Sequence, residues 1–469
     1  MMAAIGGMMF VPALVDWLYG DISWATFLVS GLIVALMGTV LSLSAWTPQP
    51  SLSPRATFLL TALSWVVLAL VSAIPFLMQP LGLSFTDAVF ETTSGITTTG
   101  ATVLTGLDDM PKGVLMWRAM LKWFGGIGII VPALAFLPML KVGGMQLFRL
   151  ESSDVGEKIL PRAASIATAI GAVYVLLTFL CAVGYLATGM SGFDAVAHAM
   201  TTIATGGYST SDSSMGGFMD GGADVVCVLF MCLGAMPFGV YLLMGRGSFR
   251  PALLDPQVRT FLGTIALFSV LVAGAYWASA DVEFLRAFRL SLFNTVSIVT
   301  GTGYATADYQ TWGTFAVAAF FAFMFVGGCA GSTACSIKIF RYQVAFEALR
   351  AYLFRMPHEH AIAPMRYGGK PLVESVVYSV LGYFFLFFLT FAVVAITLSF
   401  LGLDPVTAWS GAGSAVANVG PGLGEIIGPA GTYQPLPGSA KWVLLTAMVV
   451  GRLEIVTALV VLSPGFWRA

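Results

Sequence analysis

Charged side chains are scarce in this chain. Asp, Glu, Lys and Arg make up 10% of its 469 residues, whereas a soluble domain carries roughly 25%. Hydrophobic residues make up 58%, the mean hydropathy is +0.89, and many apolar runs reach the ~20 residues that a helix needs to cross a bilayer. The composition excludes an ordinary soluble protein and predicts a polytopic membrane protein. Its net charge of −1 gives no reason to expect a nucleic-acid partner.

Histidine and cysteine are also rare, with three His and five Cys in the whole chain. The cysteines lie in apolar or Gly-rich segments without the spacing of a metal site, so we interpret them as small buried side chains. No Walker A motif, dinucleotide-binding glycine motif, Ser/His/Asp set or metalloprotease motif occurs. An enzyme inside a membrane would need clustered His, Asp or Glu, so we predict neither an enzyme nor a bound cofactor.

Two smaller features carry little chemistry. His358-Glu359-His360 is open to two interpretations, a metal site or the solvated loop that we favour, because its spacing is not diagnostic. His198 is interpreted as a packing residue. The first residues lack a basic segment and a small-residue cleavage site, so we expect a first membrane helix rather than a removed signal.

Four short glycine-bearing segments recur, each between two long apolar stretches. They read Thr97-Thr98-Thr99-Gly100-Ala101, Ala204-Thr205-Gly206-Gly207-Tyr208, Thr300-Gly301-Thr302-Gly303-Tyr304 and Asn418-Val419-Gly420-Pro421-Gly422. A single segment of this kind is equally well an ordinary loop or a helix kink. Four of them at the same place in four units imply a four-part ring, and a ring of backbone carbonyls can replace the water around a potassium ion.

The segments between the glycine turns repeat one order: a long apolar helix, a short helix, the turn and a second long helix. The short helices have about 11–16 residues, too few to span a bilayer, and suit re-entrant pore helices. The predicted fold is all-α, with four pseudo-symmetric helix–pore helix–helix units around one pore and two extra N-terminal transmembrane helices. The divisions are 1–46 for the N-terminal pair and 56–140, 162–246, 256–355 and 371–463 for the units. Helices are predicted at 2–19, 23–43, 56–78, 86–96, 114–140, 163–188, 193–203, 222–244, 257–280, 283–298, 312–354 with an interruption, 371–401, 405–416 and 440–462.

A constant spacing links the start of three short helices to their glycine turns. Asp87, Asp194 and Thr407 each lie thirteen residues before a glycine, and both residue types are good N-caps. In the third unit Leu290 occupies this position, next to Ser291. The spacing favours Gly207 over Gly206 as the second member of the ring.

Lys and Arg lie in alternate connections, which predicts that these connections are cytoplasmic and that both termini are inside. The connections with the glycine turns are rich in Asp and Glu, and an acidic outer vestibule would concentrate cations. The basic residues are Arg55, Lys141, Arg149, Lys158, Arg162, Arg246, Arg250, Arg259, Arg341, Arg350, Arg355, Arg366 and Lys370.

These segments resemble the Trk/Ktr/HKT superfamily of potassium transporters, and within it the TrkH/TrkG type. The resemblance covers nearly the whole chain, including the two extra N-terminal helices. It implies a potassium channel or transporter of the bacterial inner membrane, a homodimer, and a cytosolic nucleotide-binding subunit of the TrkA type. The basic linkers would offer that subunit a docking surface, or serve topology alone. The matching segments are 90–102, 202–210, 296–298, 301–304, 418–424 and Trp123-Phe124-Gly125-Gly126-Ile127-Gly128.

The resemblance implies that each unit donates one strand to a K⁺ filter. Glycine permits backbone geometries closed to other residues, so carbonyls can turn inward, and the C-terminal ends of the short helices favour a cation. Related chains more often carry Thr at Gly301, so we expect a looser strand and weaker discrimination of K⁺ from Na⁺. The predicted filter residues are Thr98, Thr99, Gly100, Thr205, Gly206, Gly207, Gly301, Thr302, Gly303, Asn418, Val419 and Gly420.

A run poor in helix formers interrupts the last helix of the third unit at 327–336. Broken backbone at membrane depth is tolerated where it is buried or lines water, and in similar proteins this position closes the pathway beneath the filter. The alternative is a tight small-residue helix contact. The predicted gate residues are Gly327, Gly328, Gly331, Ser332, Thr333, Lys338 and, from the last helix, Arg452.

Arg452 lies inside a predicted membrane helix, two residues before Glu454. An intramembrane charge is costly and marks a function or a buried pair. The resemblance favours a positive barrier below the filter, and the alternatives are an ion pair with Glu454 or snorkelling. Arg118 and Lys122 share one face of a helix and are weaker candidates for such a charge, with anchors of the helix's outer end as the alternative interpretation.

One rival interpretation is a secondary transporter that moves an organic solute by alternating access. Such proteins usually show paired halves with broken helices at the midplane, whereas this sequence predicts four units with four re-entrant segments. The sequence leaves open whether K⁺ flux is passive or a proton symport.

Overall fold

The computed structural model describes residues 1–45, 54–135, 163–245, 247–248, 250, 254–358 and 363–468. Residues 136–140 of the predicted helix 114–140, the basic residues Lys141, Arg149, Lys158, Arg162 and Arg246, and Glu359 and His360 lie outside this part of the chain. The described helices are α1 Met2–Met8, α2 Phe10–Tyr19, α3 Trp24–Ser44, α4 Pro54–Ser72, α5 Ile74–Met78, α6 Phe85–Ile96, α7 Lys112–Ala135, α8 Ala163–Ala187, α9 Gly192–Ile203, α10 Ala223–Gly234, α11 Phe238–Met244, α12 Pro256–Ser279, α13 Phe284–Val299, α14 Thr314–Phe323, α15 Ile339–Arg355, α16 Glu374–Phe400, α17 Pro405–Ala417, α18 Gly438–Arg452, α19 Ile455–Leu462 and α20 Pro464–Arg468. A small hairpin pairs β1 Arg366–Tyr367 with β2 Lys370–Pro371.

Long apolar helices form the outside of the molecule. Within the described residues, six segments are long and apolar enough to cross a membrane, or seven if α10 and α11 count as one bent span. Helices α8, α12 and α16 expose rows of large apolar side chains, such as Phe179, Leu267 and Phe385. The four short helices α6, α9, α13 and α17 are buried over most of their length. The exposed apolar surface is therefore on the helices that would face lipid.

The second long helices of the units are mostly broken, which the sequence analysis foresaw only for residues 312–354. The continuous helix predicted over 222–244 is wrong, because α10 and α11 meet at 94° around Pro237, which lacks the N–H that a helix interior needs. The continuous helix predicted over 440–462 is also wrong. It breaks between α18 and α19 at Glu454, whose φ of 57° is left-handed.

The short helices begin three residues earlier than the predicted caps. Ser84 and Ser191 accept the backbone N–H of Asp87 and Asp194, and Asp404 accepts that of Thr407. Asp87, Asp194 and Thr407 therefore occupy the third helical position, N3, rather than the N-cap. The spacing is still constant in these three units, because Ser84, Ser191 and Asp404 each lie sixteen residues before a glycine of the turns. In the third unit α13 is longer and begins after Glu283.

Glycines allow the N-terminal helices to approach closely. A Cβ atom at Gly38 of α3 would overlap the backbone of Ala3 in α1, and one at Gly6 would overlap Ala35. Such small-residue crossings bring helix backbones together in membranes. By contrast, no atom lies within 4 Å of a Cβ placed at Gly7.

We therefore expect Gly38→Ala to destabilise the protein by about 1–3 kcal/mol, because the added methyl forces the two backbones apart. Thermal unfolding in detergent measures this change. Gly7→Ala is the matched control and should unfold at or above the wild-type temperature, since alanine favours helix. Equal unfolding temperatures for the two variants would contradict the close crossing.

Candidate ion pathway

The four short helices end in the same C-terminal turn. In each, a residue with left-handed φ follows the helix: Thr98 (57°), Thr205 (48°), Gly301 (72°) and Asn418 (52°). Its N–H and the next N–H donate back to carbonyls of the last helical turn, the pattern of a Schellman motif. The donor–acceptor distances are 2.8–3.4 Å. The bonds are Thr98 to Gly95, Thr99 to Ser94, Thr205 to Thr202, Gly206 to Thr201, Gly301 to Ile298, Thr302 to Ser297, Asn418 to Ala415 and Val419 to Ser414.

Gly301 adopts the same backbone conformation as its counterparts. The left-handed position of a Schellman motif usually carries glycine, because a side chain there costs about 1–2 kcal/mol. Gly301 is thus a relaxed member, Asn418 belongs to a residue type that also adopts this conformation, and Thr98 and Thr205 hold a disfavoured one. The side-chain amide of Asn418 donates to the Met448 carbonyl at 2.9 Å. The turn at Gly301 is folded like the others and gives no sign of the looser strand expected from the sequence.

Two residues later, each turn reaches a glycine that also has positive φ. We call Gly100, Gly207, Gly303 and Gly420 the ring glycines; their φ angles lie between 71° and 113°. A Cβ atom on each would lie 2.9 Å or less from one carbonyl oxygen of the next turn. These oxygens belong to the residue before the next ring glycine. The pairs are Gly100 with Gly206, Gly207 with Thr302, Gly303 with Val419 and Gly420 with Thr99.

This cyclic pattern closes on itself, so the four turns surround one point. It also explains why these positions are glycines, since any side chain would strike a neighbouring carbonyl. The register groups Gly207, rather than Gly206, with the other ring glycines. The carbonyl of Gly420 already accepts bonds from the Ser414 hydroxyl and the Tyr433 hydroxyl, each 2.8 Å long. The oxygens that lie between adjacent turns are therefore those of the preceding residues.

A hydroxyl residue lies six positions before every ring glycine: Ser94, Thr201, Ser297 and Ser414. Ser94 and Ser414 accept the N–H of Gly100 and Gly420, at 3.2 and 3.1 Å. Ser297 donates to the Tyr304 carbonyl, and Thr201 bonds to the Tyr304 hydroxyl. These supporting residues were not predicted from the sequence, although their constant spacing was visible beside the glycines.

Buried cations brace the outside of the first two turns. Arg118 pairs with Glu91 at 2.8 Å and donates to the Ser209 carbonyl. Lys122 donates to the Ser94 carbonyl at 2.8 Å and lies 3.9 Å from the centroid of the Tyr208 ring. Both side chains are buried next to the first two glycine turns. The interpretation of Arg118 and Lys122 as anchors of an outer helix end is therefore wrong.

The predicted interruption lies at one end of the ring. Residues 324–338, here called the barrier loop, connect α14 to α15 and are non-helical. Within the loop, Gly327 donates to the Ile337 carbonyl at 2.9 Å. The sulfur of Cys335 is 3.4 Å from the Thr98 hydroxyl, and its Cβ would be 3.2 Å from one on Gly301. The loop therefore covers the ring where its turns leave the short helices.

The break at Pro237 holds the barrier loop in place. Freed carbonyls of Gly234 and Ala235 accept the N–H groups of Thr333 and Cys329, at 3.2 and 3.0 Å. The N–H of Phe238, at the start of α11, donates to the Gly331 carbonyl at 2.9 Å. Each broken segment thus satisfies the other's backbone groups, as membrane depth requires.

Arg452 reaches the barrier loop and does not pair with Glu454. Its guanidinium donates to the Cys335 sulfur at 2.8 Å and to the Gly125 carbonyl at 2.9 Å. Glu454 pairs instead with Arg341 at 2.5 Å. The alternative of an Arg452–Glu454 ion pair is therefore wrong. Of the other gate candidates, Lys338 donates to the Ala334 carbonyl, Thr333 to those of Ile203 and Gly234, and Ser332 to that of Cys329.

The remaining titratable candidates have structural surroundings. His198 bonds to the Asp194 carbonyl and the Ser209 hydroxyl and packs against Phe218. His358 is exposed and stacks on Phe354. Among the described residues, no group of three or more His, Cys, Asp or Glu side chains is placed to hold a metal ion.

Comparison with known proteins identifies similar chains along the whole length. A family model described as "TrkH: Cation transport protein" matches residues 25–467. The Trk system potassium uptake protein TrkI of Halomonas elongata is 46% identical, over 98% of this chain and 94% of the relative. TrkG of Escherichia coli is 33% identical, over 98% and 95%. The crystal structure of the potassium transporter TrkH from Vibrio parahaemolyticus superimposes with a TM-score of 0.92 at 36% identity, covering 100% of this chain and 97% of that one.

The buried Arg118–Glu91 pair leads to a prediction about the stability of the protein. Arg118→Gln leaves the carboxylate of Glu91 buried without its partner, so we expect a loss of about 3–5 kcal/mol in unfolding free energy. Arg350→Gln breaks a pair with Glu347 in which the two side chains are 73% and 30% exposed, and should cost about 0–1 kcal/mol. Thermal unfolding in detergent compares the two variants. Equal losses would show that the Arg118 pair is not a brace.

Proposed function

Because the chain belongs to the TrkH family of cation transport proteins, we propose that it takes up potassium ions through the ring formed by its four glycine turns. It is a multi-pass membrane transporter rather than an enzyme. The observation that carries the proposal is the closed cycle in which each ring glycine lies against a carbonyl of the next turn. Four chain segments distant in sequence meet there in one backbone conformation.

The chemistry of the ring suits a dehydrated K⁺ ion. Removing water from the ion requires replacement oxygens, and the carbonyls of Thr99, Gly206, Thr302 and Val419 are the ones arranged around the ring. The C-terminal ends of the four short helices add partial negative charge. Schellman bonds, the hydroxyls behind the turns and the Arg118–Glu91 pair hold the backbone in place. The full proposed filter runs over residues 98–100, 205–207, 301–303 and 418–420.

The barrier loop and Arg452 form the proposed gate. The loop covers one end of the ring through Cys335, and the guanidinium of Arg452 is bonded to that same residue. A cation leaving the ring would meet both the backbone of the loop and a positive charge. Movement of the loop away from the ring would therefore be needed for flux.

We propose the unit organisation, oligomeric state, membrane location and partner of this protein by analogy with the family. Four units, 56–140, 162–246, 256–355 and 371–463, would surround one pore, with residues 1–46 as an additional helix pair. The protein would be a homodimer in the bacterial inner membrane with both termini in the cytoplasm. A cytosolic TrkA-type nucleotide-binding subunit would act on the gate from the side of the basic connections, among them Arg350, Arg355 and Arg366. Flux would be either passive or coupled to protons.

The test is ion flux into proteoliposomes that contain this chain, with Na⁺ competing against K⁺. We expect K⁺ flux that saturates and that Na⁺ inhibits poorly. Gly303→Ser should weaken the preference for K⁺, because its Cβ would overlap the Val419 carbonyl. A preference unchanged in this variant would refute the filter.

Two control variants make the test specific. Gly301→Ser introduces the same side chain two residues earlier, where the nearest atom to the new Cβ is 3.2 Å away and where other turns carry Thr. It should weaken the K⁺ preference less than Gly303→Ser does, because the other turns hold Thr or Asn in this conformation. Gly382→Ser lies in α16 with no atom within 4 Å of its Cβ, and it reports any general effect of the substitution. Equal loss of preference in all three variants would contradict the assignment.

A further inference from the structure

An ion pair joins two breaks in the chain that lie far apart in sequence. Arg341 is the third residue of α15, immediately after the barrier loop. Glu454 occupies the break between α18 and α19, two residues after Arg452. A guanidinium nitrogen of Arg341 lies 2.5 Å from a carboxylate oxygen of Glu454. The ion pair therefore links the end of the barrier loop to the segment that carries Arg452.

The pair is buried, so separating it would be costly. The side chain of Arg341 is 0% exposed and that of Glu454 is 12% exposed. The guanidinium also lies 3.6 Å from the centroid of the Tyr383 ring on α16. A buried charge that loses its partner is strongly destabilised. Any motion that draws α15 away from the break at Glu454 must overcome this loss.

The barrier loop and the α18–α19 region are also joined next to the glycine turns. Arg452 donates to Cys335 of the barrier loop, and three residues of chain separate Cys335 from the start of α15. Two contacts, Arg452–Cys335 and Arg341–Glu454, thus link the loop region to the α18–α19 region. The first contact is a hydrogen bond from a guanidinium to a cysteine sulfur. The second joins two charged groups and is the one whose separation costs more.

We propose that the Arg341–Glu454 ion pair is the latch that keeps the barrier loop closed. Arg341 and Glu454 are positioning residues in this account, because they act through the barrier loop and the segment that carries Arg452. Opening requires α15 to part from the α18–α19 break, which carries the loop away from the ring and from Arg452. The proposal rests on the function proposed above, since it describes the regulation of that gate.

The test measures exposure of Cys335, which is buried while the loop is closed. The full chain in proteoliposomes is treated with a small methanethiosulfonate reagent, and the labelling rate of wild type is compared with R341Q, E454Q and the double variant. We expect each single variant to label roughly tenfold faster or more, a change of about 1.4 kcal/mol. The double variant should label no faster than the faster single variant, because the latch can be lost only once.

Controls separate the latch from general loosening. The same variants carrying Cys335→Ala give the background from the other cysteines. Lys441→Gln breaks another largely buried pair of 2.5 Å, with Asp87, and should leave the labelling rate of Cys335 unchanged. If R341Q or E454Q unfolds below this control, E454D replaces it, because the shorter side chain keeps the charge but withdraws from Arg341.

The outcomes are distinguishable. Rates that rise additively in the double variant, rates that do not rise, or an equal rise in Lys441→Gln would each overturn the latch. Labelling does not require ion passage, so these results are independent of the filter. Wild-type liposomes without a preference for K⁺ over Na⁺ would overturn the proposed function instead.

Discussion

Backbone N–H and C=O groups must be paired within the protein when they lie inside a bilayer, since an unpaired group there costs several kcal/mol. The non-helical segments of this chain are arranged around that constraint. Each glycine turn returns two N–H groups to its own short helix. The barrier loop and the break at Pro237 exchange bonds with each other. Within the described residues, the irregular backbone of the glycine turns, the barrier loop and the Pro237 break is satisfied by a second irregular segment or by a helix end.

The constraint also explains how a narrow ring can be rigid. A carbonyl oxygen that binds an ion is not paired with a backbone N–H, so other groups must hold its residue in place. In the turns this support comes from the left-handed residue, from the hydroxyl six positions before each ring glycine, and from the buried Arg118–Glu91 pair. The strain of Thr98 and Thr205 is affordable because the helices behind them are fully packed. Relief of that strain at Gly301 leaves the geometry unchanged.

Much of this organisation could be predicted from the sequence because it repeats. Glycine spacing located the four turns, and the Gly-rich run located the interruption before α15. The breaks at Pro237 and Glu454 were missed, since one proline or one charge in an apolar run does not decide whether a helix continues. The N-caps were placed three residues late because Asp suits the first helical turn as well as the cap. Contacts between distant segments, such as Arg341 with Glu454, leave no local signal at all.

The ring is proposed to hold one ion between the four turns. Anomalous diffraction from crystals of the protein grown with Tl⁺, a heavy ion of similar size to K⁺, would locate that ion. We expect an anomalous peak enclosed by the carbonyl oxygens of Thr99, Gly206, Thr302 and Val419, which excess K⁺ abolishes and the same concentration of Na⁺ does not. Peaks found only elsewhere in the protein, or a peak at the ring that Na⁺ removes as readily as K⁺, would contradict it.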